Sequence, residues 1–458
     1  MKLTNLTRAN EIGANSYWLD FGADGSVVLD SGMHPRIEGY SGTPLIDLIP
    51  KESLKAIFLT HAHHDHMGSM PILMRHQPQA PVFMTEGTHF LTTSLLHNSV
   101  EVMFKQKAEK GIPEFPLYTH KEIDRGIDRW WTCAIDRHWS LEGRPAQSEE
   151  PLTFKFHEAG HVLGSCAVEL IHRGKRILYT GDINFKDQTL MKGAQLPEEG
   201  IDTLIIETTR GNHVSPPGFT REGEILRLAQ GIEETFKNGG AVMIPAFALG
   251  KTQELLTSLH WLQRQNVIRK GTIYIGGLGR MLTLTYDKLC GRVRRSHPKL
   301  VMLEEIKHEI MDGRRLQGFR PRPGDIYLIS SGMMTEKTLS NTLAQRLMAD
   351  KRNSIFFVGY CDPDSPAGRL LATPKGERVC MDQSKDEDQP VNCRIDKFDM
   401  TAHAQREDIL DYIVRLNPRV CLLVHGDPSA SAWFQQELAV KRPEMQVILP
   451  PSGKAIEI

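Results

Sequence analysis

No stretch of this 458-residue chain approaches the roughly 18 consecutive apolar residues that a membrane-spanning helix requires. The opening segment, MKLTNLTRANEIG, lacks an apolar signal core, so a cytoplasmic protein with no membrane partner is expected. Paired cysteines are missing as well. The seven present, at 133, 166, 290, 361, 380, 393 and 421, are scattered and odd in number, with no C-x-x-C. That excludes a disulfide framework and a cysteine zinc knuckle. Neither sign of charge dominates: 55 Lys and Arg face 56 Asp and Glu, so any affinity for nucleic acid must come from a local patch. There is no G-x-G-x-x-G, hence no sign of a dinucleotide, and no internal repeat or low-complexity tract.

What remains is a soluble α/β pattern long enough for two or three domains, with 40% apolar residues to build their cores. GSVVLDSG, LKAIFLTHAHHDHMG, PVFMTEG, LTFKFHEAGH, KRILYTGD and IDTLIIETT share one design. Each is a β-branched apolar run that ends on a polar or glycine-rich loop. From about residue 218 the pattern changes to strand–helix alternation, as in AVMIPAFALGKTQELLTSLHWLQRQ, GTIYIG, GDIYLISSGMM and NSIFFVGYCDP. After SKDEDQP, which reads as a solvated loop, the first style returns with RIDKFDMTAHAQRED, RVCLLVHGDP and MQVILP. The expected order is one domain, an inserted Rossmann-like domain, and a return to the first.

The densest chemistry is THAHHDH, residues 60–66, directly after the apolar KAIFL. A lone histidine is most often a core or surface residue. An H-x-H-x-D-H cluster leaving a strand is far more specific for metal. His61 and His63 can face one ion, and Asp65 and His66, opening the next helix, a second. A close zinc pair takes about seven nitrogen and oxygen ligands, one of them a bridging carboxylate, and keeps open positions for water. Candidates for the rest sit on other strand-exit loops: His161 between glycines, Asp182 in LYTGDIN and His425 in LLVHGDP.

These motifs make the sequence resemble the metallo-β-lactamase superfamily and, within it, the β-CASP group of nucleic-acid-processing nucleases. THAHHDH is similar to that superfamily's second motif, GH at His161 to the third and TGD at Asp182 to the fourth. LDSG at Asp30 matches the first, whose aspartate supports the metal loop from behind. The resemblance implies an α/β fold: a metallo-β-lactamase αββα sandwich at 1–207 and 379–458, with a β-CASP domain inserted at 208–378. It implies two zinc ions, one on His61, His63 and His161, the other on Asp65, His66 and His425, with Asp182 shared. IIETTRG puts Glu207 at the β-CASP motif A acid, MTAHAQRED puts His403 at motif B, and His425 is motif C.

Phosphodiester hydrolysis needs an activated water, a neutralised phosphate and a proton for the leaving oxygen. Zinc can lower the pKa of a bound water from 15.7 to about 7. His403, steadied by Glu207, is the expected general acid, and Asp65 joins them in the catalytic set. A helix-capping role is the bland alternative for Glu207. Ser330, Ser331, Gly332 and Met333, after a strand, can hold a phosphate one step from the cut, as can Lys251; a tight strand-to-helix turn explains the same serines. Between 292 and 322 lie nine Lys or Arg against four acids, enough to track an RNA backbone or simply to solvate a helical face. YIGGLGRMLT, 274–283, departs from the aspartate–serine–proline segment many members have, which leaves substrate choice open.

The expectation is a short, two-domain, bacterial-type nuclease acting on single-stranded RNA. It is taken as endonucleolytic, with exonuclease direction and a homodimer left open. A DNA nuclease of the same architecture is the first alternative; His425 rather than valine at motif C favours RNA. A small-molecule ester or thioester hydrolase is the second, and the inserted domain argues against it. A catalytically silent RNA-binding subunit would have lost metal ligands, and all seven are present.

Overall fold

The computed structural model describes residues 1–316, 318–383 and 387–458. The chain packs as two units. One comprises Met1–Lys186, Gly193–Ser215 and His403–Ile458, the other Asp187–Lys192 and Pro216–Ala402.

The first unit holds two seven-stranded sheets. In one, the strands Lys2–Asn5, Tyr17–Asp20, Ser26–Leu29, Leu54–Phe58, Val82–Met84 and Trp130–Thr132 follow in chain order, with Ala455–Glu457 added beside the first. In the other, Gln446–Ile448, Val420–Val424, Thr203–Glu207, Lys175–Tyr179, Cys166–His172, Leu152–Glu158 and His138–Ser140 lie side by side. Their inner faces share one core that includes Phe58, Phe83, Phe154, Phe156, Ile205 and Leu422. Phe58 and Phe83 each lie 4.8 Å, centroid to centroid, from Phe154. Each such buried ring contributes roughly 1.5–3 kcal/mol, which fixes the strand whose end delivers His61. On the outer face of the first sheet, Met70, Leu73, Leu96, Val100 and Ile123 of three helices close a second core. On the outer face of the other sheet, Ile409, Ile413, Phe434 and Leu438 do the same. Helix, sheet, sheet, helix is the layer order expected from the resemblance.

The second unit is built on a six-stranded sheet whose pairs are all parallel, ordered His308–Met311, Ile273–Gly276, Ile326–Ile329, Val242–Pro245, Ser354–Phe357, Arg394–Lys397. Continuous apolar strands such as Ile326–Ile329, buried throughout, are what a parallel sheet covered on both faces needs. Residues 379–383 and 387–402 pack with this unit because Arg394–Lys397 pairs with Ser354–Phe357 and extends its sheet. The solvated loop expected at SKDEDQP is corrected in part. Residues 384–386 lie outside the described residues, but Asp388–Pro390 forms a strand that pairs antiparallel with Arg378–Cys380. Backbone pairing overrides a polar composition here.

The basic run also sorts itself. Arg295 is buried and donates to the carbonyls of Tyr286 and Leu300, so it is structural. Arg315 pairs with Glu309 on the surface. Gln317, inside the expected LQGFRPRPGD, lies outside the described residues. All seven cysteines are free. Among the described residues no helix is long and apolar enough to cross a membrane.

Candidate metal centre

Every residue of the expected metal set lies in the first unit, at the ends of its strands. Leu54–Phe58 runs into the loop that carries His61 and His63, and the single-turn helix His64–Met67 carries Asp65 and His66. His161 sits in the turn between Leu152–Glu158 and Cys166–His172, Asp182 follows Lys175–Tyr179, and His425 follows Val420–Val424. Asp30 and His425 adopt positive φ values of 59° and 47°. That left-handed geometry costs about 1–2 kcal/mol in a non-glycine residue, and it turns each chain sharply at its strand end.

The side chains converge. His61 Nε2 and His161 Nε2 each lie 3.1 Å from His63 Nδ1. Asp182 Oδ2 is 3.5 Å from both Nε2 atoms. The ligand atoms of these four residues all lie within 4.8 Å of one another, as do those of Asp65, His66 and His425. His425 Nε2 stands 3.2 Å from Asp65 Oδ2. Asp182 turns its other oxygen, Oδ1, to this second group, 3.3 Å from His66 Nε2 and 3.1 Å from His425 Nδ1. Despite these neighbours, the buried Oδ1 accepts no hydrogen bond. The 3.1 Å contacts are within N–H···N hydrogen-bond range, and the same nitrogens, deprotonated, are lone-pair donors to a metal ion. The arrangement fits shared cations, and imidazole nitrogen with carboxylate oxygen is a donor set zinc takes.

Asp30 fixes the orientation. Fully buried, its Oδ1 accepts from the Thr60 amide at 2.8 Å. Its Oδ2 accepts from the hydroxyls of Thr60 and Tyr179 and lies 2.8 Å from His66 Nδ1. His66 therefore carries its proton on Nδ1 and turns the Nε2 lone pair into the cluster. The electrostatics show how much negative charge surrounds that ring. Burial pulls the His66 imidazole down, but the carboxylates of Asp182, Asp30 and Asp65 hold it well above the ordinary range. Burial pushes Asp182 up, yet the imidazoles of His425, His66 and His403 hold it well below the usual carboxylate range. The site concentrates negative charge that demands positive charge among it.

His403 and Glu207 stand beside the cluster. His403 Nδ1 is 3.0 Å from Glu207 Oε2, and its ring centroid is 4.6 Å from that of His161. Its Nε2 lies 3.9 Å from Asp182 Oδ2. Burial lowers this imidazole, but Glu207 and Asp182 raise it, to about 9. Glu207 caps no helix: its Oε1 accepts from the Ile183 amide at 2.7 Å. It also comes within ligand reach of Asp182 and His425.

The glycines around His161 serve the local packing. A Cβ on Gly160 (φ 71°) would lie 2.5 Å from the Ala194 nitrogen and the Asn184 oxygen, and one on Gly164 (φ 78°) 2.4 Å from the Thr88 nitrogen. Both make room for neighbouring backbone. Residues with no sequence signal also hold the site: Tyr179 on Asp30, Thr209 with its hydroxyl 2.9 Å from His425 Nδ1, and Asn15, which donates to the Asp65 carbonyl.

The expected phosphate-contact residues belong to the second unit. Ser331 Oγ accepts from the Thr335 amide and Met333 Sδ from the Asp362 amide. Lys251 is buried, its amine donating to the Met400 carbonyl. With Gly332, Phe247 and Tyr360 it lines a small hollow at the strand ends.

Comparison with known proteins places these residues in a family context. A model of the metallo-beta-lactamase superfamily matches residues 9–222, a Beta-Casp domain 252–370, and a Zn-dependent metallo-hydrolase RNA specificity domain 388–450. The chain is similar to Endoribonuclease YSH1 of Eremothecium gossypii, 27% identical over 92% of this chain and 54% of that protein. It is similar also to Cleavage and polyadenylation specificity factor 73 of Drosophila melanogaster, 26% identical over 96% and 62%. The chain thus spans about half the length of the curated relatives it matches. A crystal structure of a protein of unknown function from Enterococcus faecalis V583 shares the fold, with a TM-score of 0.59 and 12% identity over 99% of both chains.

Proposed function

Because the chain belongs to the metallo-β-lactamase superfamily and, within it, to the β-CASP group, we propose that it is a zinc-dependent endoribonuclease that hydrolyses phosphodiester bonds of single-stranded RNA. The observation that carries this reading is the meeting of seven side chains, from His61 to His425 along the chain, with Asp182 turning one oxygen to each group. Endonuclease names among the relatives and the match to an RNA specificity domain supply the substrate class.

Two zinc ions are assigned, one to His61, His63 and His161, the other to Asp65, His66 and His425, with Asp182 between. Bound there, they supply a water acidic enough to attack near neutral pH and positive charge for the scissile phosphate. The chain's own residues do the rest. Asp30 keeps His66 in the required tautomer. Asp65 helps hold the site's charge balance. His403 carries a proton on Nε2, the ring nitrogen facing the cluster, and delivers it to the leaving oxygen. Glu207, on Nδ1, keeps that ring protonated and aimed. Contacts to RNA phosphates are assigned to Ser330, Ser331 and the Gly332–Met333 backbone. Lys251 joins them only by leaving the Met400 carbonyl.

Incubating the zinc-loaded chain with 5′-labelled single-stranded RNA and DNA tests this. Internal fragments from RNA alone are expected. Cleavage of DNA alone moves the assignment to the DNA-nuclease alternative. Cleavage of neither, with turnover of a thioester or lactone, overturns the nuclease reading.

A further inference from the structure

A second histidine cluster lies elsewhere in the first unit and plays no part in the site above. The helix Glu86–Lys110 carries His97 and, four residues on, Glu101. The helix His120–Ile127 carries His120 and, four residues on, Asp124. Residues four apart share one helix face, so each helix offers an imidazole and an acid to the other. The pairing is crossed. His97 Nε2 lies 3.2 Å from Asp124 Oδ1, and His120 Nε2 lies 2.8 Å from Glu101 Oε1.

The two imidazoles meet through their remaining nitrogens. Their Nδ1 atoms are 2.7 Å apart. The ring planes differ by 13° and the centroids are 5.0 Å apart. So short a nitrogen contact at that centroid separation places the rings edge to edge, Nδ1 against Nδ1. His120 Nε2 faces Glu101 and donates to it, which leaves His120 Nδ1 an acceptor. That lone pair takes either the Nδ1 proton of His97, closing a hydrogen bond, or, in an opened pair, a metal ion shared with His97 Nδ1.

We propose that His97 and His120 form a second metal site, separate from the seven-ligand cluster, for Zn²⁺ or a similar nitrogen-preferring divalent ion. Each ring is held from behind by a carboxylate on its far nitrogen, the arrangement that fixes tautomer and raises basicity in metal-bound histidines generally. A proton fits the closed pair. Seating an ion about 2.1 Å from each nitrogen requires the two to part to roughly 3.3 Å. With side chains 31% and 41% exposed, the rings have room to do so, and water completes the coordination. Two protein ligands hold the ion less tightly than the buried set does, and the ion ties the two helices together.

The test uses the full chain, first saturated with Zn²⁺ and freed of excess by gel filtration. Isothermal titration with more Zn²⁺ is expected to show one further, weaker equivalent per chain. The double variant His97→Asn/His120→Asn should lose that equivalent while retaining the tightly held zinc of the wild type and its circular dichroism. Glu101→Gln/Asp124→Asn should keep it with affinity about 10-fold or more weaker. A wild type that takes no further equivalent overturns the proposal, because the pair then holds only a proton. So does a double variant that still binds it. Zinc tightly held by the double variant reports the buried cluster alone, so failure of that cluster is read separately.

Discussion

The two histidine clusters face the same problem and meet it differently. In both, imidazole nitrogens meet at hydrogen-bond distance, 3.1 Å around His63 and 2.7 Å between His97 and His120. In the buried cluster, carboxylates stand among the nitrogens: Asp182 offers one oxygen to each group and Asp65 adds a third. At the exposed pair, carboxylates stand only behind the rings, on the far nitrogens. An acid placed among the ligands neutralises charge and bridges ions. An acid placed behind a ring only orients it. Burial decides which is needed, because unpaired charge is costly away from water and tolerable at the surface. The buried set therefore gathers more charge and more candidate ligands than the exposed pair, which offers two nitrogens.

Replacing the shared carboxylate breaks the comparison most severely. Asp182→Asn leaves the shape but removes the charge and one ligand oxygen. Zinc content measured by plasma mass spectrometry is expected to fall by at least one ion per chain, and RNA cleavage to fall to background. A variant with full zinc and near-normal cleavage would refute the bridging assignment. One step smaller is His403→Ala, which removes no assigned ligand although the ring lies beside His161 and Asp182. General-acid catalysis contributes typically about 10²–10⁴-fold, so cleavage should slow by that factor with zinc unchanged. Lost zinc with the residual chemistry intact would mean that His403 is part of the metal set and not the acid. Smaller again is Asp30→Asn, the buried counterpart of an acid behind a ring. An amide nitrogen there would face donors from Thr60, Tyr179 and His66. Zinc affinity or cleavage is expected to fall about 10–100-fold, read by competition with a chromogenic chelator. An effect as large as that of Asp182→Asn would erase the distinction between ligand and orienter.

How much of this was legible before the fold was seen follows the range of each interaction. THAHHDH announces itself because four of the candidate ligands are neighbours in sequence, and the layered α/β order follows from apolar runs with loop exits. His161, Asp182 and His425 are single residues on distant loops, and only resemblance to known motifs singles them out. Tyr179 and Asn15 carry no local signal, since their roles exist only after two strands and a loop have met. HNSVE and HKEID contain the exposed pair in plain view, yet a histidine followed four residues on by an acid is common on helix faces. The meaning lies in the crossing of two helices, which no single segment encodes. The strand Asp388–Pro390 hid for a related reason: its pairing comes from Arg378–Cys380, not from its own residues.

Glu169 offers an intermediate case, a buried acid neutralised by the chain's own cations. It is 1% exposed, 2.7 Å from His157 Nε2 and 2.5 Å from Arg176 Nε. Burial pushes its carboxyl up, but those two partners outweigh burial and hold it at about 2, below its ordinary 4.5. A carboxylate held low in the folded state adds stability that is complete above about pH 4.5 and is lost as pH falls toward 2. Glu169→Gln should remove that slope and lower stability at neutral pH by about 2 kcal/mol, allowing for screening at the partly exposed Arg176. Urea unfolding of the chelated protein between pH 2.5 and 6, about the window the shift defines, measures both. Cleavage by the zinc-loaded variant at neutral pH should match the wild type, because no assigned ligand touches Glu169. If the slope persists in Glu169→Gln, the acid sensitivity belongs to Asp65 and Asp182, and the buried cluster, not this ion pair, limits the fold in acid.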